Sequence, residues 1–240
     1  MLSVSDVSVS YGKLKVLSNV NLEIPMATIT GLVAPNGYGK TTLLRTIAGL
    51  IPFYKGIVTI DGIRASQRIS YYKKLFFIED SSVLNPIMSP LDYLLLVKKA
   101  WQSGVDIDVV VETVRIGGFL RKPINKLSLG MKQQTVIAMC LVSDAEYILL
   151  DEPMNGLDPT NTAIMAWQLK LMREQGKSIF MSSHLLSNVD EITDQVVFLK
   201  DGGIAKLTSS GQGIRSSDTY QELYFEDEGL VLGLDVLAER

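Results

Sequence analysis

The sequence predicts an α/β fold with a mostly parallel sheet, an antiparallel β flank and an inserted helical subdomain. The parallel sheet is predicted by short, uniformly apolar strands that alternate with helices between residues 147 and 199, because strands buried on both faces carry no polar face. The flank is predicted by strands before residue 28 and around residue 57 that lack crossover helices. The subdomain is predicted at about residues 81–142, where the patterns are helical.

The first third of the chain is predicted to contain strands and turns around one helix. That helix is expected to stop near Gly49 and Pro52, since both residue types end helices. Asp61-Gly62 predicts a tight hairpin turn at the end of a strand. The predicted elements are strands at residues 4–10, 16–24, 28–33, 56–60 and 75–78, and a helix at residues 41–50.

The rest of the chain has helix signals first, followed by alternating strands and helices. Ser89-Pro90-Leu91-Asp92 combines an N-cap serine with a proline at the first helical position, so it predicts a helix start. The predicted helices are at residues 91–101, 108–116, 129–142, 160–175, 185–193 and 218–225, and the predicted strands at residues 147–150, 178–181 and 196–199. We expect residues 1–240 to form one domain with a C-terminal extension at about residues 204–240.

Composition and charge limit the classes of function. The net charge of −3 provides no basic face, so we expect no nucleic-acid partner. The single cysteine, Cys140, lies in an apolar run and is expected to be a core residue in a reducing compartment. No secretion signal is visible, and no run approaches the roughly 18 apolar residues needed to cross a bilayer. We therefore expect a cytoplasmic protein, with any membrane span on another chain.

A glycine-rich segment between an apolar strand and a helix is the strongest local signal. It consists of Ala34-Pro35-Asn36-Gly37-Tyr38-Gly39-Lys40-Thr41, followed by Thr42. Small residues allow backbone N–H groups to surround a phosphate, and the helix start adds its positive dipole end. Lys40 is expected to reach the β- and γ-phosphates of ATP, and the Thr41 hydroxyl to bind Mg²⁺. This predicts a P-loop NTPase core; the alternative is a glycine-rich turn that binds nothing.

The first glycine of the usual phosphate-loop pattern is replaced here by Ala34. Alanine is tolerated where φ is negative, whereas the left-handed region would strain it by roughly 1 kcal/mol. We expect a working loop with a modestly weaker affinity for nucleotide.

Two adjacent carboxylates end a buried apolar strand. The segment is Tyr147-Ile148-Leu149-Leu150-Asp151-Glu152-Pro153, and open α/β sheets bind ligands at the carboxyl ends of their strands. Asp151 is expected to hold Mg²⁺ through its water shell, and Glu152 to orient and deprotonate the attacking water. The motif alone is also compatible with an ordinary acidic turn, but here it follows the phosphate loop in the expected order.

Two further motifs complete a family pattern. Leu127-Ser128-Leu129-Gly130-Met131-Lys132-Gln133 is similar to a signature usually written Leu-Ser-Gly-Gly-Gln, and Asn155-Gly156-Leu157-Asp158 is similar to a D-loop. With these motifs the chain resembles the ATP-binding-cassette family over nearly its full length. Leu129 and Met131 depart from the common signature. Similar Ser-Leu-Gly-Met-Lys-Gln variants occur among bacterial antibiotic- and bacteriocin-type exporters.

The resemblance implies roles for individual residues. Ser128 and the Gly130 amide would contact the γ-phosphate of ATP held by a second subunit. His184, the only histidine, matches the catalytic switch histidine that touches the γ-phosphate and the attacking water. Tyr11 stands where the family places an aromatic ring against the adenine, with ordinary packing as the alternative.

The resemblance is weakest at the Q-loop, where the family usually has a glutamine that binds Mg²⁺. Counting back from Leu84 and Pro86 places Asp80 at that position, with Glu79 as the adjacent alternative. A carboxylate can also bind Mg²⁺, but it adds negative charge beside a triphosphate. We therefore expect the site to depend more steeply on Mg²⁺ than one with glutamine.

The resemblance also implies a transporter subunit that works as a pair. Two cassettes would face head to tail with two ATP molecules between them, and a homodimer is favoured over a heterodimer. Lys40 would stabilise the transition state of hydrolysis with Glu152 as base. A membrane-spanning permease on another chain would bind a groove at residues 80–90, so the protein would sit at the inner face of the cell membrane. Val83, Leu84 and Ile87 are candidates for the floor of this groove or for the core.

Four alternatives stay open at this point. A non-transport cassette ATPase would need coiled-coil arms or a second cassette, which the chain lacks. A degenerate cassette in a heterodimer is suggested by the departures at Ala34, Leu129, Met131 and Asp80. A nucleotide kinase would share the phosphate loop but not the other motifs. Within transport, export is favoured over import by the signature subtype alone.

Overall fold

The computed structural model describes residues 1–209 and 215–225, which form ten strands and eight helices. The strands are β1 (Leu2–Tyr11), β2 (Leu14–Ile24), β3 (Ile29–Val33), β4 (Lys55–Ile60), β5 (Ile63–Arg64), β6 (Leu75–Ile78), β7 (Tyr147–Leu150), β8 (Ser178–Ser183), β9 (Gln195–Lys200) and β10 (Gly203–Ser209). The helices are α1 (Lys40–Ile47), α2 (Arg68–Lys73), α3 (Pro90–Trp101), α4 (Ile107–Val114), α5 (Leu129–Ser143), α6 (Pro159–Glu174), α7 (Leu186–Ile192) and α8 (Ser216–Tyr224).

The larger sheet has six strands in the order β10-β9-β3-β8-β7-β6. All neighbours are parallel except β9 and β10, which form an antiparallel pair. The carboxyl ends of β3, β7 and β8 therefore lie side by side at one edge. This edge carries the phosphate loop, the paired carboxylates and the histidine segment that the sequence places after these strands.

The smaller sheet has four strands in the order β2-β1-β4-β5, and its pairs are antiparallel. The predicted hairpin turn at Asp61-Gly62 joins β4 to β5, with Ile60 opposite Ile63. The predicted antiparallel flank is confirmed, because every strand pair in this sheet is antiparallel.

The parallel sheet separates two apolar clusters. Alternate residues of β7 enter different clusters: Ile148 and Leu150 pack with helices α3 to α6, whereas Tyr147 and Leu149 pack with α1 and the smaller sheet. This is the two-residue period of a strand. Both faces are covered, which explains why the strand is uniformly apolar.

Between β6 and β7 the chain forms helices and short 3-10 turns. A serine or aspartate side chain caps each of the three helices here: Ser89 for α3, Asp106 for α4 and Ser128 for α5. The predicted N-cap at Ser89 is present and is part of a capping box, because the Ser89 N–H donates a hydrogen bond to the Asp92 carboxylate. Cys140 of α5 is fully buried, as expected, and burial raises the pKa of its thiol to about 12.

Three regular elements, β5, α2 and β10, have no counterpart among the predicted ranges. Helix α2 has no side-chain cap and buries only Tyr71, and β10 buries only Thr208, so neither has an apolar period in the sequence. The predicted helix at residues 218–225 is confirmed as α8. The predicted extension at residues 210–214 and 226–240 lies outside the described residues. Among the helices that the structure describes, none combines the length and apolar character of a membrane span.

Candidate functional site

The phosphate loop leaves the fully buried strand β3 and enters α1 at Lys40. Gly37 and Gly39 have φ angles of +85° and +98°, in the region that favours glycine. A Cβ on Gly39 would also lie 3.1 Å from Cγ1 of Val16. Ala34 is buried and is not among the residues with positive φ, so replacement of the usual first glycine introduces no backbone strain.

The Lys40 side chain folds back over the loop. Its Nζ donates to the carbonyl oxygens of Ala34 and Pro35, at 2.7 and 3.2 Å, and lies 3.8 Å from Oε1 of Glu152. Burial lowers the pKa of Lys40, while the carboxylates of Glu152 and Asp151 act in the opposite direction. The ammonium group therefore lies between two backbone carbonyl oxygens and a carboxylate oxygen.

Thr41 and Asp151 form the candidate metal site. The Thr41 hydroxyl donates to Oδ2 of Asp151 at 2.6 Å, and the Ser182 hydroxyl donates to Oδ1. A hydroxyl beside a carboxylate is the kind of hard oxygen pair that Mg²⁺ prefers. These two side chains therefore fit the predicted role.

Glu152 and His184 form the candidate catalytic pair. Oε2 of Glu152 lies 2.7 Å from Nδ1 of His184, and the N–H of Glu152 donates to the Ser182 hydroxyl at 2.9 Å. Glu152 has a φ of +50°, which is unusual for a side chain larger than glycine. Ser182 was not predicted as a site residue, although its place at the end of a buried strand before His184 was a usable signal.

The Q-loop carboxylates have different partners. Glu79 accepts two hydrogen bonds from the Arg45 guanidinium, the longer being 2.9 Å. Asp80 caps a 3-10 turn by accepting from the Ser82 N–H. Arg45 was not predicted; it neutralises Glu79 and so leaves Asp80 as the better candidate for the glutamine position.

The signature contacts the first turn of α6, which directly follows the D-loop. The Ser128 hydroxyl accepts from the Met131 N–H at 3.3 Å and caps α5. A Cβ on Gly130 would lie 2.5 Å from Oδ1 of Asn161, in the first turn of α6, so only glycine fits this contact. Asp158 caps α6 by accepting from the Asn161 N–H at 3.0 Å. Asp158, the last residue of the D-loop, is therefore also the N-cap of α6.

One cavity of about 760 Å³ brings most of the predicted residues together. The predicted residues that line it are Asn36, Gly37, Gly39, Lys40, Thr41, Thr42, Asp80 with its alternative Glu79, Asp151 and Glu152. Leu129, Lys132 and Gln133 of α5 line the opposite wall. The cavity is thus a cleft between the phosphate loop and the helical segment.

Several predicted residues lie behind or beside this cleft. Ala34 and Pro35 do not line it, although their carbonyl oxygens accept hydrogen bonds from Lys40. Tyr38 does not line it either, and its ring packs against Tyr224. Tyr11 is half exposed at the end of β1 and is not among the lining residues. The adenine-stacking role of Tyr11 therefore stays a prediction.

The fold and the site together define a P-loop ATPase with a helical segment facing its phosphate loop. The family model described as ABC transporter matches residues 17–155, and the chain belongs to this family. Its members bind and hydrolyse ATP, pair with membrane permease subunits and dimerise, so this chain is the ATPase subunit of a transporter.

Named relatives and a solved structure agree with this assignment. The chain is 32% identical to the lantibiotic transport ATP-binding protein SrtF of Streptococcus pyogenes over 207 residues, which cover 85% of this chain and 89% of SrtF. It is also 32% identical to the manganese transport system ATP-binding protein MntB of Listeria monocytogenes, over 93% of this chain and 95% of MntB. An ATP-binding subunit of an ABC transporter of known structure superposes with a TM-score of 0.84 at 24% identity, covering 93% of this chain and 99% of that one, which confirms the fold.

Proposed function

We propose that this subunit uses ATP binding and hydrolysis to drive export through a permease on another chain. The observation that carries the proposal is the cleft lined by Lys40, Thr41, Asp151 and Glu152. These side chains are the minimum set for binding a triphosphate and activating water. They come from two segments that are about 110 residues apart in the chain, and the fold brings them to one edge of the sheet.

ATP would bind with its phosphates on the loop at residues 34–42 and its adenine against Tyr11. A second copy of the chain would supply Ser128 and Gly130 to the γ-phosphate, giving a head-to-tail homodimer. The exposed Ser128 at the start of α5 supports this role, because a helix N-terminus attracts anions. Two ATP molecules would then join the halves, and loss of the γ-phosphate would release them.

Mg²⁺ would be held by Thr41 and Asp151, with Asp80 as a further oxygen ligand from the Q-loop. When bound, the ion neutralises charge on the β- and γ-phosphates. The remaining chemistry belongs to the protein side chains.

Glu152 would accept a proton from the attacking water while the water oxygen bonds to the γ-phosphorus. The bond from that phosphorus to the bridging oxygen breaks, and ADP leaves with its electrons. His184, already bonded to Glu152, would orient the base and touch the γ-phosphate. Lys40 would move from its carbonyl partners to the phosphates and stabilise the developing charge.

The helical segment at about residues 81–142 would act as a subdomain that passes motion to the permease. An apolar groove of about 540 Å³ lies between β6, the following 3-10 turn and α3. Val83 lines it and is 57% exposed, and Ile87 nearby in sequence is 78% exposed. Leu84 also lines the groove and is buried, so it fits both the floor of the groove and the core. Docking here would place the subunit at the cytoplasmic face of the membrane.

Export is supported by the Ser128-Leu129-Gly130-Met131-Lys132-Gln133 signature and by the similarity to a lantibiotic transport protein. The importer alternative is supported by the similarity to a manganese transport protein. The neighbouring reading frames distinguish them. A polytopic membrane protein of about six spans alone supports export, and an additional secreted binding protein supports import.

A catalytically active cassette is favoured over a degenerate one, because Lys40, Thr41, Asp151 and Glu152 all occupy the cleft. Leu129 and Met131, which differ from the common signature, lie on α5, and the Ser128 cap of this helix is still formed.

Replacing Glu152 with glutamine tests the proposed chemistry. The variant should bind ATP, hydrolyse it at least about 100-fold more slowly and accumulate as a dimer, because glutamine cannot accept the proton. Phosphate release and size-exclusion chromatography with ATP measure these effects. Glu146→Gln is the control, since Glu146 precedes the same strand and pairs with Lys74 on the surface. Hydrolysis by Glu152→Gln at the parental rate would show that the base is another group.

A further inference from the structure

Helix α8 lies against the phosphate loop and contacts it through aromatic rings. Tyr38, inside the loop, packs edge to face on Tyr224, with ring centroids 5.6 Å apart and an interplanar angle of 87°. Tyr220, one turn earlier in α8, contacts Tyr224 with ring centroids 4.7 Å apart. Edge-to-face packing is a favourable aromatic geometry. The side chain of a phosphate-loop residue is therefore anchored on a helix near the end of the described chain.

The Tyr224 hydroxyl contacts the strand from which the loop departs. Tyr224 is fully buried, and its hydroxyl donates to the Leu199 carbonyl at 2.9 Å with a longer contact of 3.4 Å to the Val33 carbonyl. Val33 is the last residue of β3, and Leu199 lies in the neighbouring parallel strand β9. The hydroxyl thus joins two strand ends directly before Ala34.

Helix α8 is held at both of its ends. The Ser216 N–H donates to both carboxylate oxygens of Asp190 on α7, at 3.0 and 3.2 Å. At the other end, the Lys200 ammonium group donates to the Leu223 carbonyl at 2.6 Å. Because α7 follows His184 in the chain, α8 connects the switch-histidine region to the phosphate loop.

We propose that Tyr224 is a positioning residue that holds the phosphate loop in its ATP-binding conformation. Tyr38 lies between Gly37 and Gly39, whose backbones have the greatest conformational freedom. An unanchored loop would have to be ordered by the nucleotide, whereas a loop already held in place loses less entropy on binding. The inference rests on the proposed ATP site and adds a residue outside the phosphate contacts.

Tyr224→Phe tests the inference because it removes the hydroxyl and keeps the ring. Loss of one buried hydrogen bond should raise the Kd for ATP roughly three- to tenfold. The KM for ATP should rise with it, while kcat should change by less than about twofold, since the catalytic groups are unaltered. Calorimetric titration with ATP and steady-state hydrolysis measure the two effects.

Tyr71→Phe is the matched control. Tyr71 is also fully buried, and its hydroxyl donates at 2.8 Å to the carbonyl of Ile47, at the opposite end of α1 from the loop. Both variants should lower Tm, but only Tyr224→Phe should change the Kd for ATP, measured well below Tm. If both variants lose stability and both keep the parental Kd, Tyr224 is merely structural and the inference is wrong.

A second variant covers the case in which Tyr224→Phe does not fold. Asp190→Ala frees the N-terminus of α8 and should raise the Kd for ATP in the same direction, by a smaller factor. Titration of the parental protein in the same series distinguishes a failure of the proposed ATP site from a failure of the inference about Tyr224. Failure of the parental protein to bind ATP defeats both the proposed function and this inference. Parental binding together with an unchanged Kd in every folded α8 variant defeats the inference alone.

Discussion

Asp151 and Glu152 are neighbours in the chain, but their side chains have different partners. Asp151 accepts hydrogen bonds from Thr41 and Ser182, whereas the Glu152 carboxylate contacts His184. The left-handed φ of Glu152 costs roughly 1 kcal/mol for a non-glycine residue. Because the backbone turns at Glu152, the two carboxylates point to different partners. The Asp151 carboxylate is placed to bind a metal ion, and the Glu152 carboxylate is placed to act as a base.

Asp80 should make hydrolysis unusually dependent on Mg²⁺. Asp80 and Glu79 both line the cleft, but the Glu79 carboxylate is already paired with Arg45. Replacing Asp80 with glutamine removes one negative charge near the phosphates. The Mg²⁺ concentration that gives half-maximal hydrolysis should fall by roughly two- to tenfold. A Mg²⁺ titration of the hydrolysis rate at fixed ATP measures the change.

Asp106→Gln is the control for this titration, because Asp106 is also an N-cap, directly before α4, but does not line the cleft. It should keep the parental Mg²⁺ dependence. An Mg²⁺ dependence of Asp80→Gln equal to that of the parental protein would refute the role assigned to Asp80.

Residues inside short motifs could be predicted, whereas their supporting partners could not. Lys40 and Thr41 are specified by the local pattern around them, and the structure brings both into the cleft. Arg45 and Ser182 act through contacts with residues more than 30 positions away. Such contacts depend on strand order, which a single sequence does not reveal.

At the scale of elements, the helix starts carry both stability and function. Ser89 and Ser128 each accept a hydrogen bond of 3.3 Å from a backbone N–H three residues later. Only Ser128 is also proposed to contact the partner's ATP. Substitution of each serine in turn can therefore distinguish an effect on folding stability from an effect on dimerisation.

Ser128→Ala and Ser89→Ala should each cost about 1 kcal/mol of folding free energy through loss of the cap. Both should lower Tm by a few degrees. Only Ser128→Ala should abolish the ATP-dependent dimer, because it also removes a proposed γ-phosphate contact. Thermal unfolding and sedimentation with ATP, in the absence of the permease, make the comparison. Equal dimerisation by the two variants would contradict the signature role.

The elements that were predicted have strong local signals. Helix α3 has a capping box with proline at its first position, and β7 is a short apolar run between polar residues. Helix α2 lacks both kinds of signal, since it is six residues long and buries only Tyr71. Its position depends on packing against β5 and β6, which is a tertiary effect.

At the scale of the whole molecule, the parallel sheet divides two cores and gathers the chemistry at one edge. One core joins the sheet to helices α3 to α6, and the other joins it to α1 and the antiparallel sheet. The nucleotide cleft opens between the phosphate loop and α5. Movement of α5 relative to the loop would therefore change the cleft directly, which suits a subunit that converts nucleotide state into motion.

The central claim is that the loop at residues 34–42 binds the triphosphate through its amides and Lys40. Its most direct measurement is a calorimetric titration of the purified chain with ATP and Mg²⁺. The parental protein should bind one ATP per chain, and Lys40→Ala should bind it roughly ten- to a hundredfold more weakly through loss of charge-assisted hydrogen bonds. Lys177→Ala should bind normally, because Lys177 pairs with Asp144, and neither residue lines the cleft. Absence of ATP binding by the parental chain, or equal affinity in Lys40→Ala, would contradict the account.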